Sequence, residues 1–456
     1  MKYYIQLYTV ILLWITGFIS CSEKDHLTDL PDTDLLTIDN YEYAQSLLDN
    51  TTVMRETPAL PEISADDYFL PEDSSTPANA VEYNAYLWKP DIFEGKSPAD
   101  DWLSAYQQVF YANSVMAALP TLAKTCTAAQ LNQIKGMSLF IRAYSFYNIA
   151  LAFANLYSAQ AETDAGIPLR LDSSPTESST RATVKATYDR ILGDLKETIP
   201  LLSENVDPKR KNRPSVPAVH ALLARIYLSM HNYEEAGKYA DSCLKKYANL
   251  IDYNSISSTT LNPFSNTNEE VLYQTNLHSS ALMFYQADFF VDTTLLQQYA
   301  ASDLRKELYF TINGAGRAFP RASYSGTPTR FSGLATVEIY LIRAECNARA
   351  SRIQEALDDL NQLLRKRLKT ASFVPINAGS ASEVLELVLL ERRKELIFRG
   401  LRWTDIRRLN QENRGINLKR IVKGKEYILP AGGNRFTLPI PPDVLSSNKN
   451  MQQNPR

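Results

Sequence analysis

ERRKELIFRGLRWTDIRRLN, residues 391–410, carries seven Lys or Arg against three Asp or Glu, with Phe398 and Trp403 set among them. In isolation this is the composition of an arm that grips phosphates. The whole chain argues against that use, because its 456 residues hold 48 basic and 51 acidic side chains, net charge −3, and no overall field draws a polyanion. The spacing supplies another use for the charges. Glu391 precedes Lys394 by three residues, Glu395 precedes Arg399 by four and Asp405 precedes Arg408 by three, and on a helix those are neighbouring side chains. The stretch is therefore expected to be an internally paired structural segment. Gly400 can take the left-handed conformation that ends a helix, and Thr404 or Asp405 can cap a following one.

Outward from this stretch the same helical period continues. WLSAYQQVFYANSVMAALP (102–120), QLNQIKGMSLFIRAYSFYNIALAFANLY (130–157) and TVKATYDRILGDLKETIPLL (183–202) repeat apolar residues every three to four positions. Two later segments, 216–247 and 337–368, each read as a helix, a short polar turn and a second helix. Small residues stand where such helices must approach closely: Ala224, Ala236 and Ala240 in the first, Ala344 and Ala356 in the second. That is the pattern of a tetratricopeptide hairpin. Residues 50–100 and 250–335 lose the period; the first is rich in Pro and aromatics, the second in Ser, Thr, Asn and Gly with short β-like runs such as EEVLYQTN. The expected fold class is mainly α: tetratricopeptide-like helical hairpins (about 102–250 and 337–410) carrying irregular, loop-rich insertions and a few short β-strands. Loops held by a rigid scaffold are where ligand sites concentrate.

The chain opens MKYYIQLYTVILLWITGFISCSEK, with Lys2, an uncharged and mostly apolar run from Ile5 to Ser20, then Cys21 and a polar switch. The run is short for a membrane span and has the form of a secretory signal over residues 1–20, leaving 21–456 as one domain. FISC (18–21) resembles the bacterial lipobox, in which the Cys is lipidated, and SEKD (22–25) resembles the export tag of Bacteroidota surface lipoproteins. Cys126, Cys243 and Cys346 are widely spaced with no CxxC pair, so neither a disulfide framework nor a thiolate metal cage is expected. His26, His220, His231 and His278 show no ligand spacing. GAGR (314–317) is only a fragment of a phosphate-binding loop and reads as a flexible turn. No metal, cofactor or catalytic group is implied.

With these segments assembled, the chain resembles the SusD/RagB nutrient-binding lipoproteins. The opening stretch is similar to that family's signature ERRxELxFEGxRWxDLxR, with Arg399 where the family usually has Glu. WLSAYQQVFYAN resembles its WxxxYxxIxxAN helix, STRATVKATYDRILGDL its TRxTVxxxYxxIxxDL segment, HALLARIYLSMHNYEEAGKYAD its first repeat hairpin, and LPIPPDVLSSNKNMQQNPR its PIPxxExxxNPxLxQNPGY ending, without the final Gly-Tyr. The resemblance implies a lipoprotein, anchored through Cys21 and exposed on the outer membrane. Such a protein captures a glycan, or in some members a peptide, and sits over a SusC-like TonB-dependent β-barrel transporter. It implies no catalysis.

Two other classes fit parts of the sequence. A secreted glycosidase needs two carboxylates facing each other across a bond, and Asp66 with Asp67 in ISADDYF are adjacent rather than opposed. A peptide-binding tetratricopeptide scaffold accounts for the hairpins but leaves the insertions and the lipid signal unexplained. For the ligand site the expectation centres on Trp88, because Trp102 and Trp403 lie in helical motifs and are expected to be packed. Trp88 sits in VEYNAYLWKPDIFEGK beside Tyr83 and Tyr86, and a flat ring with a polar edge suits a sugar face. Phe284, Tyr285 and Tyr324 are candidates for an opposite wall, with Asp66, Asp67 and Asn84 as hydroxyl partners.

Overall fold

The structure is a computed structural model. It describes residues 38–456 other than 78, 96–99, 175–178, 261, 266–267, 286, 322–323 and 327–328, and the side chains of Phe284 and Tyr285 are likewise not described. The signal segment and Cys21 lie outside the described residues.

Among the described residues ten helices carry the scaffold. They are α1 (Tyr41–Leu48), α2 (Asp100–Leu122), α3 (Ala128–Phe153), α4 (Val184–Thr198), α5 (Val216–Ser229), α6 (Tyr233–Lys246), α7 (Thr336–Arg349), α8 (Ile353–Arg365), α9 (Ala381–Glu395) and α10 (Arg402–Gln411). Their starts are written locally. Thr127 and Gln130 form a capping box on α3, Ser380 and Glu383 another on α9, and the Thr183 side chain accepts from Ala186 N on α4. In chain order α2 packs on α3, α3 on α4, α5 on α6, α6 on α7, and α7 on both α8 and α9.

The α5–α6 and α7–α8 hairpins close with the same turn. His231 (φ 60°) and Ser351 (φ 58°) each take the left-handed conformation just after the first helix. Behind them Asn232 N donates to Tyr227 O at 3.0 Å, and Arg352 N to Asn347 O at 2.9 Å. Ala224, Ala236, Ala240, Ala344 and Ala356 are all fully buried, as close helix approach requires.

The strands are short. Among the described residues they form five two-stranded sheets, two of which join the insertions to each other. Glu56–Thr57 runs parallel to Asn276–Leu277, and Tyr68–Phe69 runs antiparallel to Phe290–Val291. Phe310–Ile312 pairs with Ala318–Pro320 in a hairpin, and Leu418–Val422 with Lys425–Leu429 in another.

The opening stretch forms α9, a connection and α10. Its three expected pairs are present: Glu391 with Lys394 at 2.7 Å, Asp405 with Arg408 at 2.8 Å, and Glu395 with Arg399 at 4.0 Å. Most of its charges also reach distant elements. Arg393 meets Asp67 at 2.8 Å, Arg402 meets Asp66 at 2.7 Å, Arg408 meets Glu345 at 2.6 Å, and Glu395 receives Arg305 and Arg367 at 3.1 and 2.9 Å. Burial pushes the Glu395 carboxyl up, but Arg367, Arg305 and Arg399 together hold it below the ordinary range.

Two local expectations need correction. α9 ends at Glu395, well before Gly400, and the connection turns through Phe398 (φ 58°) and Gly400 (φ 74°). The N-cap of α10 is Leu401 with no side-chain cap; Asp405 is drawn instead into pairs with Arg392 and Arg408. A buried carboxylate gains more from two guanidiniums than from backbone amides already within reach of a helix start.

Candidate ligand-binding face

The two insertions, far apart in sequence, meet in space. Besides the two shared strand pairs, the buried Glu82 carboxylate accepts from Ser280 Oγ at 2.9 Å, Ala281 N at 3.1 Å and Leu282 N at 2.7 Å. His278 Nδ1 lies 2.7 Å from Glu56 Oε2, and Asp101 accepts from Ala59 N and Leu60 N at 3.0 and 2.8 Å. Burial pushes the Asp101 carboxyl up to about 6 and that of Glu62, beside Asp67 and Asp66, up to about 8.

Most of the expected site residues are interior parts of this junction. Trp88 is 3% exposed, donates through Nε1 to Ser64 O at 2.9 Å and lies 4.4 Å from the Arg420 guanidinium, so it has no free face for a sugar. Tyr86 is buried and its hydroxyl accepts from Leu70 N at 2.9 Å. Asn84 is buried and donates to Ile92 O at 3.0 Å. The buried Tyr324 donates to the Glu270 carboxylate, with the Arg399 guanidinium 3.6 Å over its ring. Asp66 and Asp67 are bound to Arg402 and Arg393 and are not open to hydroxyls. Burial works against the Asp66 carboxylate, yet Arg402 and Arg393 hold it well below the usual range. Tyr83 keeps a half-exposed ring, stacked 6.4 Å from that of Tyr86. Phe284 and Tyr285 lie among the undescribed side chains.

What the junction does present outward is a strip whose two half-buried rings, Phe69 and Phe319, come from different chain segments and flank the buried Phe290. Phe69 and Phe290 face each other across the antiparallel strand pair with ring centroids 5.9 Å apart, and Phe319, on the neighbouring hairpin, lies 4.8 Å from Phe290. Phe69 and Phe319 are half-buried, and Arg317, exposed at the hairpin end, holds its guanidinium 5.1 Å from the Phe290 ring centre. A half-exposed aromatic strip flanked by a donor can stack a pyranose ring and bond its substituents. A cleft of about 1010 Å³ lies elsewhere, between loop 155–164, His231 and residues 432–437. Two of its amides are engaged, since Asn410 bonds the Ile416 backbone in both directions and Asn155 donates to Asp164 at 3.1 Å, while Asn413 and Asn434 are exposed.

Residues 25–228 match a family model described as starch-binding and associating with the outer membrane, and residues 336–456 match the SusD family model. The chain belongs to the SusD/RagB family. SusD-like protein P2 of Formosa agariphila is 22% identical over 415 residues, spanning 77% of this chain and 79% of that relative. Among solved structures, a SusD superfamily protein of Bacteroides thetaiotaomicron superposes with a TM-score of 0.74 at 20% identity, covering 91% of this chain and 100% of the other. A laminarin-binding SusD-like protein superposes at 0.65 and 18% identity, covering 91% and 98%. At these identities the superpositions speak to the fold.

In this SusD/RagB chain the segment between the two family matches, 229–335, contains the whole second insertion. The strip residues escaped the sequence because nothing periodic marks them. Phe69 follows the acidic pair taken as the notable feature of ISADDYF, and Arg317 closes the GAGR turn. One usable signal was present: residues 308–337 contain three Arg and no Asp or Glu.

Proposed function

We propose that this protein is a surface-exposed, lipid-anchored binder that captures a glycan on the face made by its two insertions and passes it to a TonB-dependent transporter in the outer membrane. The observation that carries the proposal is the strip of Phe69, Phe290 and Phe319, assembled by strand pairing between segments that share no local signal. Family membership supports it, as does the laminarin binding of one SusD-like structural neighbour. Binding rather than hydrolysis is favoured because Asp66 and Asp67, the paired acids that suggested a hydrolase, are consumed in ion pairs with Arg402 and Arg393. Cys21 would carry the lipid. Among the described residues no helix is long and apolar enough to cross a membrane.

The test is calorimetric titration of candidate oligosaccharides against the mature protein and Phe319→Ala. Loss of one stacking face should weaken binding roughly tenfold, the scale of ~1–1.5 kcal/mol for an aromatic contact. Full affinity in a normally folded variant would remove the strip from the site.

A further inference from the structure

Resting on the proposal that the Phe69–Phe290–Phe319 strip holds a glycan, we infer that this glycan is acidic, and that Arg317 pairs with a carboxylate or sulfate on it. The first ground is charge. In a chain of net charge −3, residues 308–337 carry three Arg and no acidic side chain; Arg317 and Arg321 reach the surface, while Arg330 is buried near Glu62. Arg321 is held by backbone carbonyls, those of Ser258 at 2.9 Å, Glu307 at 2.7 Å and Thr260, which position its charge without cancelling it.

The second ground is how Arg317 is presented. It closes the hairpin between Phe310–Ile312 and Ala318–Pro320, where Asn313 Oδ1 accepts from Ala315 N and Arg317 N at 3.0 Å each and Asn313 N donates to Arg317 O at 2.9 Å. The GAGR segment is thus a built turn, with Gly316 in the left-handed conformation at φ 76°. Its last residue lays an exposed guanidinium over the Phe290 ring, and among the described residues that guanidinium enters no ion pair. Stacking removes part of its hydration and leaves its planar fork of N–H groups exposed. A guanidinium so held suits a planar carboxylate or a tetrahedral sulfate, both of which accept paired N–H donors. A neutral sugar would use the same ring but leave that charge without a partner.

Asp66 and Asp67 of the first insertion do not cancel this charge, because they are bound to Arg402 and Arg393.

The experiment uses the mature full-length protein on an immobilised panel of neutral oligomers (β-1,3-glucan, mannan), uronate oligomers (alginate, pectate) and sulfated oligomers (carrageenan). Wild type is compared with Arg317→Ala and Arg317→Lys, and equal melting temperatures establish equal folding. Acidic members should bind and weaken with added salt, and Arg317→Ala should weaken them roughly tenfold or more, the scale of a charge-assisted hydrogen bond. Arg317→Lys should fall between, and the uronate and sulfate arms tell which anion is recognised. Binding confined to neutral members, or acidic binding unchanged in Arg317→Ala, overturns the inference and leaves glycan capture standing. No binding to any member counts against both.

Discussion

Trp88 shows how a side chain that looks like a ligand platform becomes part of the core. Its backbone is left-handed (φ 53°), uncommon for a bulky residue, and its ring is closed in by Ala65, Trp403, Leu418 and Phe436. The indole N–H is satisfied by Ser64 O, and the Arg420 guanidinium also lies 3.6 Å from the Tyr86 ring. Trp88→Ala should therefore cost about 3–5 kcal/mol, the range for a buried aromatic truncated to Ala. Denaturant unfolding reads that loss, while affinity per folded molecule should stay near wild type. A variant that kept its stability but lost ligand would return Trp88 to the binding face. Trp403 is the parallel case: 1% exposed, it donates to Phe436 O at 3.0 Å.

At the scale of elements, the parallel pairing of Glu56–Thr57 with Asn276–Leu277 is only two residues long and needs help from side chains. His278, the next residue, supplies it: its N–H bonds Thr57 O at 2.8 Å, its Nδ1 meets Glu56, and its Nε2 lies 3.7 Å from Asp100 at the start of α2. The Glu56 hydrogen bond, aided by the Glu56, Asp101 and Asp100 charges, outweighs burial and raises the imidazole to about 9 from 6.5. Because the folded pKa is the higher one, this stabilisation is complete below pH 6.5 and is lost as pH rises to about 9. Glu62, raised to about 8 from 4.5, has the same sign over a lower window, so the informative quantity is a difference between proteins. Urea unfolding across pH 6–9.5 should show wild type losing more stability than His278→Gln. Parallel curves would mean that His278 does not carry the dependence.

Over the whole molecule, the two insertions and the α9–α10 connection are locked together by ion pairs and small contacts. Gly400 N donates to Glu62 at 2.8 Å, and Arg225 joins the two repeat hairpins through Glu338 at 2.6 Å and the Gly333 carbonyl at 2.6 Å. Gly333 admits no side chain, since a Cβ there would lie 2.0 Å from Tyr273 O. On this rigid body the ligand face and the proposed membrane anchor are separate features and can be tested separately. Cys21→Ala should leave binding of soluble oligosaccharide unchanged while the protein shifts from the membrane fraction to the soluble fraction or accumulates as an unprocessed precursor, because several acyl chains are needed for firm attachment. Fractionation with detection of lipid label checks this; unaltered mature lipoprotein in the variant would rule out Cys21 as the anchor.

The helices, the two hairpins with their buried alanines and the short-range pairs of residues 391–410 were legible in the amino-acid sequence, because each depends on neighbours three or four positions apart on one helix. The failure of Thr404 or Asp405 to cap α10 has the same root. Caps compete with distant guanidiniums, and Arg392 and Arg408 win Asp405 only once α9 and α10 are folded together. In the insertions no period separates inside from outside. Trp88, Tyr86 and Tyr324 could not be told from Phe69 and Phe319 until strand pairing joined the two insertions. Asp67 finds Arg393 across 326 residues of chain, a partnership that no spacing announces. Burial and ion pairing in such loops belong to the packed molecule, since they depend on which surfaces the scaffold brings together and not on the order of residues within either loop.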